Sequence, residues 1–544
     1  MANENEHGGV NRRHFLELAA IASAVAVAKP LHAAAQAASP AAPAAMPELD
    51  EITIGELQDA MTSGRWTARS ITSGYLSRID AIDKRGPAIN AIIEINPDAL
   101  SIADAMDAER KAGHVRGPLH GIPVVIKDNI DTADKMKTSA GSLALAGNAA
   151  SRDAFVAARL REAGAIILGK TNLSEWANFR STHSTSGWSG RGGLTLNPYV
   201  LNRNACGSSS GTGSAIAANL AAIGIGTETD GSVVCPSSAS GLVGIKPTLG
   251  LISRAGIIPI AHSQDTSGPM ARTVRDAAIL LGILTGADER DPVTKSSRTK
   301  GHSDYTHFLD ANGLKGARIG IARQYFGFND ATDRVMNEAI ALIKSLGATI
   351  IDPANIATNG KFDATENDVL QYEFKTDINK YLANAPAAVK SRTLADLIKF
   401  NEEHRAEEMP YFGQEIFEQS EKRGPLTEKK YIDALAKNHR LARTEGIDAT
   451  IARHKVDAII APTGGPVWTT DLVNGDHFTG GYSSASAVAG YPHITVPAGL
   501  VFGLPVGLSF FGGAWSEPSL IKYAYAFEQA SKARKKPMFL PAAV

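Results

Sequence analysis

The sequence has 544 residues, of which 44% are hydrophobic and 6% aromatic, with 51 glycines and 26 prolines. Such a composition is typical of a globular protein with enough apolar material for a large core. Lys and Arg number 55 against 56 Asp and Glu, so no excess of positive charge favours nucleic acid or anionic lipid. The charge balance therefore argues against nucleic acid as a partner.

The first residues have the order of an export signal. The pair Arg12 and Arg13 precedes a weakly apolar run at 18–28 and then a series of small residues. This order predicts a twin-arginine-type signal peptide over 1–37, followed by an Ala/Pro-rich tether at 38–47. The apolar run is shorter than the roughly 20 residues that span a bilayer. We therefore expect an exported protein, periplasmic or secreted, without stable membrane insertion after cleavage.

Amphipathic helices come first in the mature chain, and short buried strands that alternate with helices follow. The helices are predicted at 54–61, 67–82, 98–111 and 153–163, and the strands at 122–126, 165–168, 458–461 and 494–496. Strands that alternate with helices form helix-covered sheets, so the predicted fold class is α/β. Residues 304–450 are more charged and helical and contain no catalytic motif, which indicates a lid or an outer wall.

Two cysteines, Cys206 and Cys235, are the only ones in the chain. They can form a bridge if their loops meet, or pack as two small buried thiols, and we expect the thiols. The chain contains neither His-Glu-x-x-His nor paired Cys-x-x-Cys motifs, which are the usual signs of a zinc site. We therefore expect no metal and no cofactor.

Glycine and serine are most frequent between residues 181 and 250. The run at 206–213, Cys-Gly-Ser-Ser-Ser-Gly-Thr-Gly, leads into a helical stretch at 214–222, so backbone N–H groups face a loop that can bind anions. A phosphate loop would end in Gly-Lys-Ser/Thr, and a dinucleotide-binding loop would have Gly or Ala in place of Ile216. Both features are absent, which excludes these two kinds of loop.

The same run also matches Gly-x-Ser-x-Gly, the nucleophile elbow of α/β-hydrolases. Ser209 would then be the nucleophile, with Asp476 and His477 as candidate partners. An elbow follows an apolar strand, whereas residues 197–204 are turn-like. This alternative is therefore disfavoured by the local sequence.

A second segment, 226–232, reads Gly-Thr-Glu-Thr-Asp-Gly-Ser. Lys127 after a strand, Ser208 in a Gly-Ser-Ser run and Ser232 in a Thr-x-x-Gly-Ser segment resemble the amidase-signature family in order and in the 24-residue serine spacing. The resemblance extends over about 54–530. It implies a single large domain at 48–544, a central mixed β-sheet covered by helices, and hydrolysis of a carboxamide.

The family resemblance also implies the catalytic roles. Ser232 is expected to be the nucleophile that forms an acyl-enzyme, with Lys127 and Ser208 as its proton-transfer partners. In the family, a cis peptide bond precedes the serine at position 208. Ser209 is expected either to hydrogen-bond Lys127 or to stabilise the start of the following helix.

An oxyanion hole is implied at the backbone N–H groups just before and at the nucleophile. The family positions correspond to Thr229, Asp230, Gly231 and Ser232. A carboxylate that points into this hole would oppose catalysis, so we expect the Asp230 side chain to face away and to bind the loop locally.

Lys127 can act as a base only if its pKa lies well below its ordinary value of about 10.4. Burial behind the predicted strand would lower the pKa, provided that its partners are hydroxyl groups rather than carboxylates. Asp128 is adjacent in sequence, but successive side chains of a strand point to opposite faces. We therefore expect Asp128 to face away from Lys127.

Substrate preference is suggested by a finer resemblance. The segment at 372–375 and the residues around Ser232, including Glu228 and Asp230 where the family commonly has Asp and Gly, resemble bacterial peptide amidases. This resemblance favours the C-terminal amide of peptides as substrate. A broad-specificity aliphatic or aryl amidase, a non-catalytic exported binding protein and one chain of an amidotransferase remain alternatives, and the oligomeric state is left open.

Overall fold

The computed structural model describes residues 47–543. The predicted signal peptide at 1–37 and all of the tether except its last residue lie outside this range. The described residues belong to one compact unit. Within them, every helix is too short or too polar to cross a bilayer.

Eleven strands form one mixed sheet, and two more form a separate hairpin, β4 with β5. The strands are β1 (Ile92–Ile95), β2 (Pro123–Lys127), β3 (Ile166–Thr171), β4 (Trp188–Ser189), β5 (Gly193–Leu194), β6 (Ile223–Glu228), β7 (Val243–Lys246), β8 (Thr266–Ala271), β9 (Arg318–Ile321), β10 (Thr349–Ile351), β11 (Ala458–Pro462), β12 (His493–Val501) and β13 (Leu504–Phe511). The order in the large sheet is β1-β3-β2-β6-β8-β7-β12-β13-β11-β9-β10.

Helices cover this sheet. They are α1 (Ile54–Thr62), α2 (Ala68–Arg78), α3 (Ala99–Lys111), α4 (Phe155–Glu162), α5 (Ser210–Ala217), α6 (Val234–Ala239), α7 (Val274–Leu284), α8 (Ser297–Lys300), α9 (Asp330–Ser345), α10 (Asp363–Ala383), α11 (Leu394–Glu403), α12 (Arg405–Glu408), α13 (Glu415–Glu421), α14 (Lys429–His439), α15 (Asp448–His454), α16 (Ser484–Ala489) and α17 (Glu517–Ser531). The predicted α/β fold with a central mixed sheet is confirmed.

Strand β2 lies between β3 and β6 and is parallel to both. All five residues of β2 and all six of β6 are buried, as in a sheet that is covered on both faces. The carboxyl ends of neighbouring parallel strands meet at one edge of a sheet. This arrangement brings Lys127, the last residue of β2, next to the loop that follows β6.

The segment at 304–450, described above as helical, also contains two strands in its first part. Strands β9 and β10 lie inside it and pair in parallel at the far end of the main sheet, joined through α9. Each strand has only three or four residues. The charged residues on the exposed face of α9, which lies between the two strands, make the whole segment look helical in sequence. The rest of the segment consists of helices α10 to α14, which are called the helical wall below.

Arg180 connects this wall to the loops near the end of the sheet. Its side chain is fully buried, and its Nη1 donates to Glu175 Oε1 at 2.5 Å and to the backbone carbonyl of Glu408 at 2.6 Å. The guanidinium also lies 4.4 Å from the ring centre of Phe412. Burial raises the pKa of Glu175 well above its usual range, and the Arg180 charge opposes that rise. One cation thus faces two buried carboxyl groups under the wall.

We predict that Arg180→Met destabilises the fold by about 3–5 kcal/mol, because it leaves Glu175 and Glu408 buried without a cation. Arg405→Met is the matched control, since Arg405 forms an exposed ion pair with Glu402 that is worth at most about 1 kcal/mol. The midpoint of urea unfolding measures both. Equal midpoints for the two variants would contradict the structural role of Arg180.

Candidate active site

Lys127 ends β2 with a fully buried side chain. Its Nζ lies 2.7 Å from Ser208 Oγ, 2.9 Å from Thr227 Oγ1 and 3.4 Å from the Thr227 carbonyl oxygen. Asn129 Nδ2 donates to the same Thr227 hydroxyl at 3.0 Å. The amine is therefore held by hydroxyl and carbonyl oxygens, and none of its hydrogen-bond partners in residues 47–543 is a carboxylate.

Burial lowers the pKa of Lys127 to about 7, although the charges of Asp265 and Glu228 act in the opposite direction. Neither carboxylate binds the amine directly. Asp265 accepts from Thr229 Oγ1 at 2.6 Å, and Glu228 accepts from the N–H groups of Val233 and Val234 at 2.8 and 3.1 Å, at the start of α6. Lys127 is therefore neutral in a large fraction of molecules at neutral pH.

Asp128 faces away from Lys127. Its carboxylate accepts from the hydroxyl of Ser139 and, at 3.2 Å, from the N–H of Gly141, and it lies 3.4 Å from Arg191 Nη1. The alternation expected at the end of a strand thus separates the two charged side chains.

Ser208 precedes α5, and the Gly207–Ser208 peptide bond is cis, at the position implied by the family resemblance. The helix begins at Ser210 and ends at Ala217, earlier at both ends than the predicted helical stretch at 214–222. Ser209 occupies the N-cap position of this helix, but its side chain caps nothing. Instead, its hydroxyl donates to the Thr227 carbonyl oxygen at 3.1 Å and lies 3.2 Å from the Thr227 N–H. Ser209 therefore contacts β6 rather than Lys127.

The loop of Ser208 and the loop of Ser232 are in direct contact. Ser209 donates its N–H to the Ser232 carbonyl oxygen at 3.2 Å, and a disulfide joins Cys206 to Cys235 with their Cα atoms 6.0 Å apart. The expectation of two free thiols was wrong. The cysteines are 29 positions apart in sequence, and only the approach of the two loops brings them within bonding distance.

The backbone N–H groups of residues 230–232 have no acceptor among the described residues, which leaves them available to a ligand. Gly231 has a φ of +79°, a conformation that glycine adopts without steric cost. The Ser232 side chain is largely buried. Its hydroxyl forms no hydrogen bond within residues 47–543, and the Ser208 hydroxyl is bonded to Lys127 rather than to Ser232. This loop therefore presents a free hydroxyl beside unpaired donors, as a nucleophile with an oxyanion hole requires.

The Asp230 side chain is hydrogen-bonded to the start of α16. Ser484 Oγ donates to Asp230 Oδ2 at 2.6 Å. Burial raises the pKa of Asp230, while hydrogen bonds from Ser483 and Ser484 oppose that rise. The side chain is thus bound to α16 and its preceding residue, at a longer sequence distance than the local bonds that we expected.

The elbow alternative is not supported by the positions of its residues. Residues 204–209 form no strand before α5. His477 Nε2 lies 3.4 Å from Asp471, and Asp476 accepts from the hydroxyl of Ser186 at 2.5 Å. Ser209 therefore lacks a histidine partner within the described part of the chain.

The residues that the sequence analysis missed are those that surround Lys127. Thr227 Oγ1 binds the Lys127 amine, and Asn129 orients this hydroxyl. Asp265 lies opposite the loop at 229–232, because β8, which follows Asp265, pairs antiparallel with β6. Lys246 is also fully buried, and burial lowers its pKa to about 8. A threonine at the end of a buried strand was a usable signal for the first of these residues.

Two cavities lie near the loop at 229–232 that bears Ser232. The first, here named the Tyr381 cavity, has a volume of about 400 Å³, and its lining includes Thr227, Thr229 and Tyr381. The second, here named the Asp363 cavity, has a volume of about 530 Å³ and is lined by Asp363 and Ser483 among others. Helix α10 contributes side chains to both cavities. Helix α10 therefore helps to shape both cavities.

One group in the described residues has the side chains that a metal ion needs. Ligand atoms of His262, Glu373 and Asp377 lie within 4.8 Å of one another. Each already has protein partners: His262 Nδ1 lies 2.7 Å from Asp377, and Glu373 accepts from the Ser263 N–H at 2.9 Å and the Tyr431 hydroxyl at 2.8 Å. The group is accounted for as a network that connects α10 to the segment before β8.

Known proteins resemble this chain along nearly its whole length. Residues 70–521 match the protein family described as Amidase. A probable amidase of Arabidopsis thaliana is 42% identical over 503 residues, which cover 90% of this chain and 92% of the plant protein. A putative amidase of Schizosaccharomyces pombe is 37% identical over 526 residues, which cover 90% of this chain and 87% of the yeast protein.

Among solved structures, the native peptide amidase from Stenotrophomonas maltophilia is 48% identical to this chain. It superimposes with a TM-score of 0.86 and covers 90% of this chain and 99% of its own. These matches include β2, both serine loops and the helical wall. The chain belongs to the amidase-signature family of amide-hydrolysing enzymes.

Proposed function

We propose that the protein hydrolyses the C-terminal amide of peptides through a Ser232-Ser208-Lys127 relay and an acyl-enzyme. The observation that carries this proposal is the 2.7 Å contact between Lys127 Nζ and Ser208 Oγ. The contact lies in a buried site, and the loop that bears Ser208 is bonded to the loop that bears Ser232.

In the proposed first half-reaction, neutral Lys127 accepts the proton of Ser208 while Ser208 accepts the proton of Ser232. The Ser232 oxygen attacks the amide carbonyl carbon. Negative charge then develops on the carbonyl oxygen, close to the free N–H groups of residues 230–232. One preorganised donor of this kind typically contributes about 3 kcal/mol to transition-state stabilisation.

Collapse of the tetrahedral intermediate breaks the carbon–nitrogen bond. Ser208 gives its proton to the departing nitrogen and recovers one from Lys127, so ammonia leaves and the acyl group stays on Ser232. In the second half-reaction, a water molecule gives a proton to the same relay and attacks the ester. The bond between the carbonyl carbon and Ser232 Oγ then breaks, and the relay returns the proton to Ser232 Oγ. The net change consumes one water and produces a carboxylic acid and ammonia.

The choice of peptide amides rests on similarity to the Stenotrophomonas peptide amidase, which extends over 99% of that chain. The segment at 372–375 lies on α10, where Glu373 faces the residues before β8. Helix α10 also lines both cavities near the loop that bears Ser232. The part of the chain that shapes the cleft is therefore included in the similarity.

We predict that Ser232→Ala lowers kcat/KM by at least about 10⁴-fold, because it removes the nucleophile. Ser209→Ala serves as the matched control. It loses hydrogen bonds to Thr227, each worth about 1 kcal/mol of stability, and should retain measurable turnover. Ammonia release from an amidated peptide measures both variants. Full activity in Ser232→Ala would refute the mechanism.

The activity should depend on pH through the protonation of Lys127. Because the neutral amine is the base, kcat/KM should be high above pH 7, at least up to about pH 9, and fall on the acid side as Lys127 takes up a proton near its pKa of about 7. Lys127→Ala should lose nearly all activity and keep its circular dichroism spectrum. A wild-type profile that rises only near pH ~10, or wild-type turnover in the variant, would identify Lys127 as structural.

The third prediction concerns the bond that is cleaved. An amidated peptide should gain about 1 Da as its terminal amide becomes an acid, while its internal peptide bonds stay intact. Mass spectrometry of the products separates the possibilities, with the same peptide as a free acid for the control. Internal fragments would contradict the proposal, and activity confined to small aliphatic or aryl amides would favour the broad-specificity alternative.

A further inference from the structure

Two sets of contacts connect the Asp363 cavity to the loop that bears Ser232. Ser484 Oγ, from its rim, donates to Asp230 at 2.6 Å. A Cβ atom built on Gly231 would lie 3.3 Å from Ser483 Oγ. A ligand bound in this cavity would therefore lie close to the residues that precede Ser232.

The second set of contacts runs through Gln264. Its Nε2 donates to the Thr229 carbonyl oxygen at 3.3 Å and to Glu366 Oε1 at 2.9 Å. Glu366 lines the cavity and is 8% exposed. Its second carboxylate oxygen has no hydrogen-bond partner in residues 47–543. A carboxylate more than nine-tenths buried thus presents an unpartnered oxygen to an open space.

The cavity lining is rich in carboxyl groups. Asp363 and Glu366 are on its wall, Asp230 lies beside it, and its described lining contains no Lys or Arg. Burial raises the pKa of Glu366 well above its usual range, and the charges of Asp230 and Asp363 raise it further. Such mutual repulsion is relieved when a cation binds.

Aromatic rings complete the lining. Tyr325, Phe326 and Phe328 all contribute to it. The guanidinium of Arg323, which is itself paired with Asp352, lies 4.6 Å from the ring centre of Phe326. Aromatic faces combined with carboxylates are the usual surroundings of bound ammonium and guanidinium groups.

We propose that the Asp363 cavity is a substrate subsite that binds a positively charged group of the peptide amide, an ammonium or a guanidinium. This inference rests on the proposed peptide-amidase function and adds a preference for basic peptides. Its volume of about 530 Å³ accommodates an arginine or lysine side chain. Asp363 and Glu366 are its specificity-determining residues.

Acetylated tripeptide amides test the preference. Arginine is placed at each of the three positions in an alanine background, and citrulline, an uncharged near-isostere, is placed at the same position. In at least one position, kcat/KM for arginine should exceed that for citrulline by about tenfold. Ratios near one at all three positions would overturn the proposal.

The variants assign the effect to the cavity. Asp363→Asn and Glu366→Gln should each bring the arginine-to-citrulline ratio toward one, by lowering kcat/KM for the arginine peptide more than for the citrulline peptide. Glu338→Gln, which removes an exposed carboxylate from α9, controls for the change in net charge. A ratio that stays high in both cavity variants would place the cation elsewhere and overturn the assignment.

Turnover of the all-alanine amide tests the proposed function separately. If that amide is not cleaved, the peptide-amidase proposal fails, and calorimetric titration with agmatine tests the subsite by itself. Agmatine carries a guanidinium and no amide. Wild-type protein should bind it, and Asp363→Asn should bind it at least about fivefold more weakly. Absent binding, or equal binding by the two proteins, would overturn the cation subsite.

Discussion

The burial of Lys127 is the constraint on which the rest of the site depends. An ammonium group removed from water is costly unless carboxylates compensate for the lost hydration. Here Thr227 and Ser208 supply hydroxyl and carbonyl oxygens instead. The nearby carboxylates are engaged elsewhere, Asp265 by Thr229 and by the N–H groups of residues 260 and 261, and Glu228 at the start of α6. The surroundings therefore favour the neutral amine, and the lowered pKa of Lys127 follows from this arrangement.

The two serine loops come from different parts of the chain, and a hydrogen bond and a disulfide join them, while a further hydrogen bond joins the first loop to β6. The Ser209 N–H binds the Ser232 carbonyl oxygen, the Ser209 hydroxyl binds the backbone of Thr227, and a disulfide connects Cys206 to Cys235. These bonds fix the loops relative to each other and to β6. A relay that transfers protons over hydrogen-bond distances needs such preorganisation, because small displacements of the reacting groups lower the rate strongly.

The helical wall contains no part of the proposed relay, yet it determines the space around it. Helix α10 reaches the site through Gln264, which joins Glu366 to the Thr229 carbonyl oxygen, and through the Tyr381 hydroxyl, which donates to Asp131 at 2.8 Å. The plant and yeast relatives each match 90% of this chain at 42% and 37% identity.

The sequence by itself determined the α/β class, the buried strand before Lys127, helices α1 to α4 and the family, because apolar periodicity and motif spacing are local properties. Strands β9 and β10 were not predicted, since a run of three or four residues is too short to show a clear alternation of apolar and polar side chains. Only the tertiary structure decided which groups surround the lysine. Lys127 meets Ser208 and Thr227 across 81 and 100 positions, and the disulfide depends on the same approach of loops. Contacts of this range follow from strand order in the sheet, which local patterns do not encode.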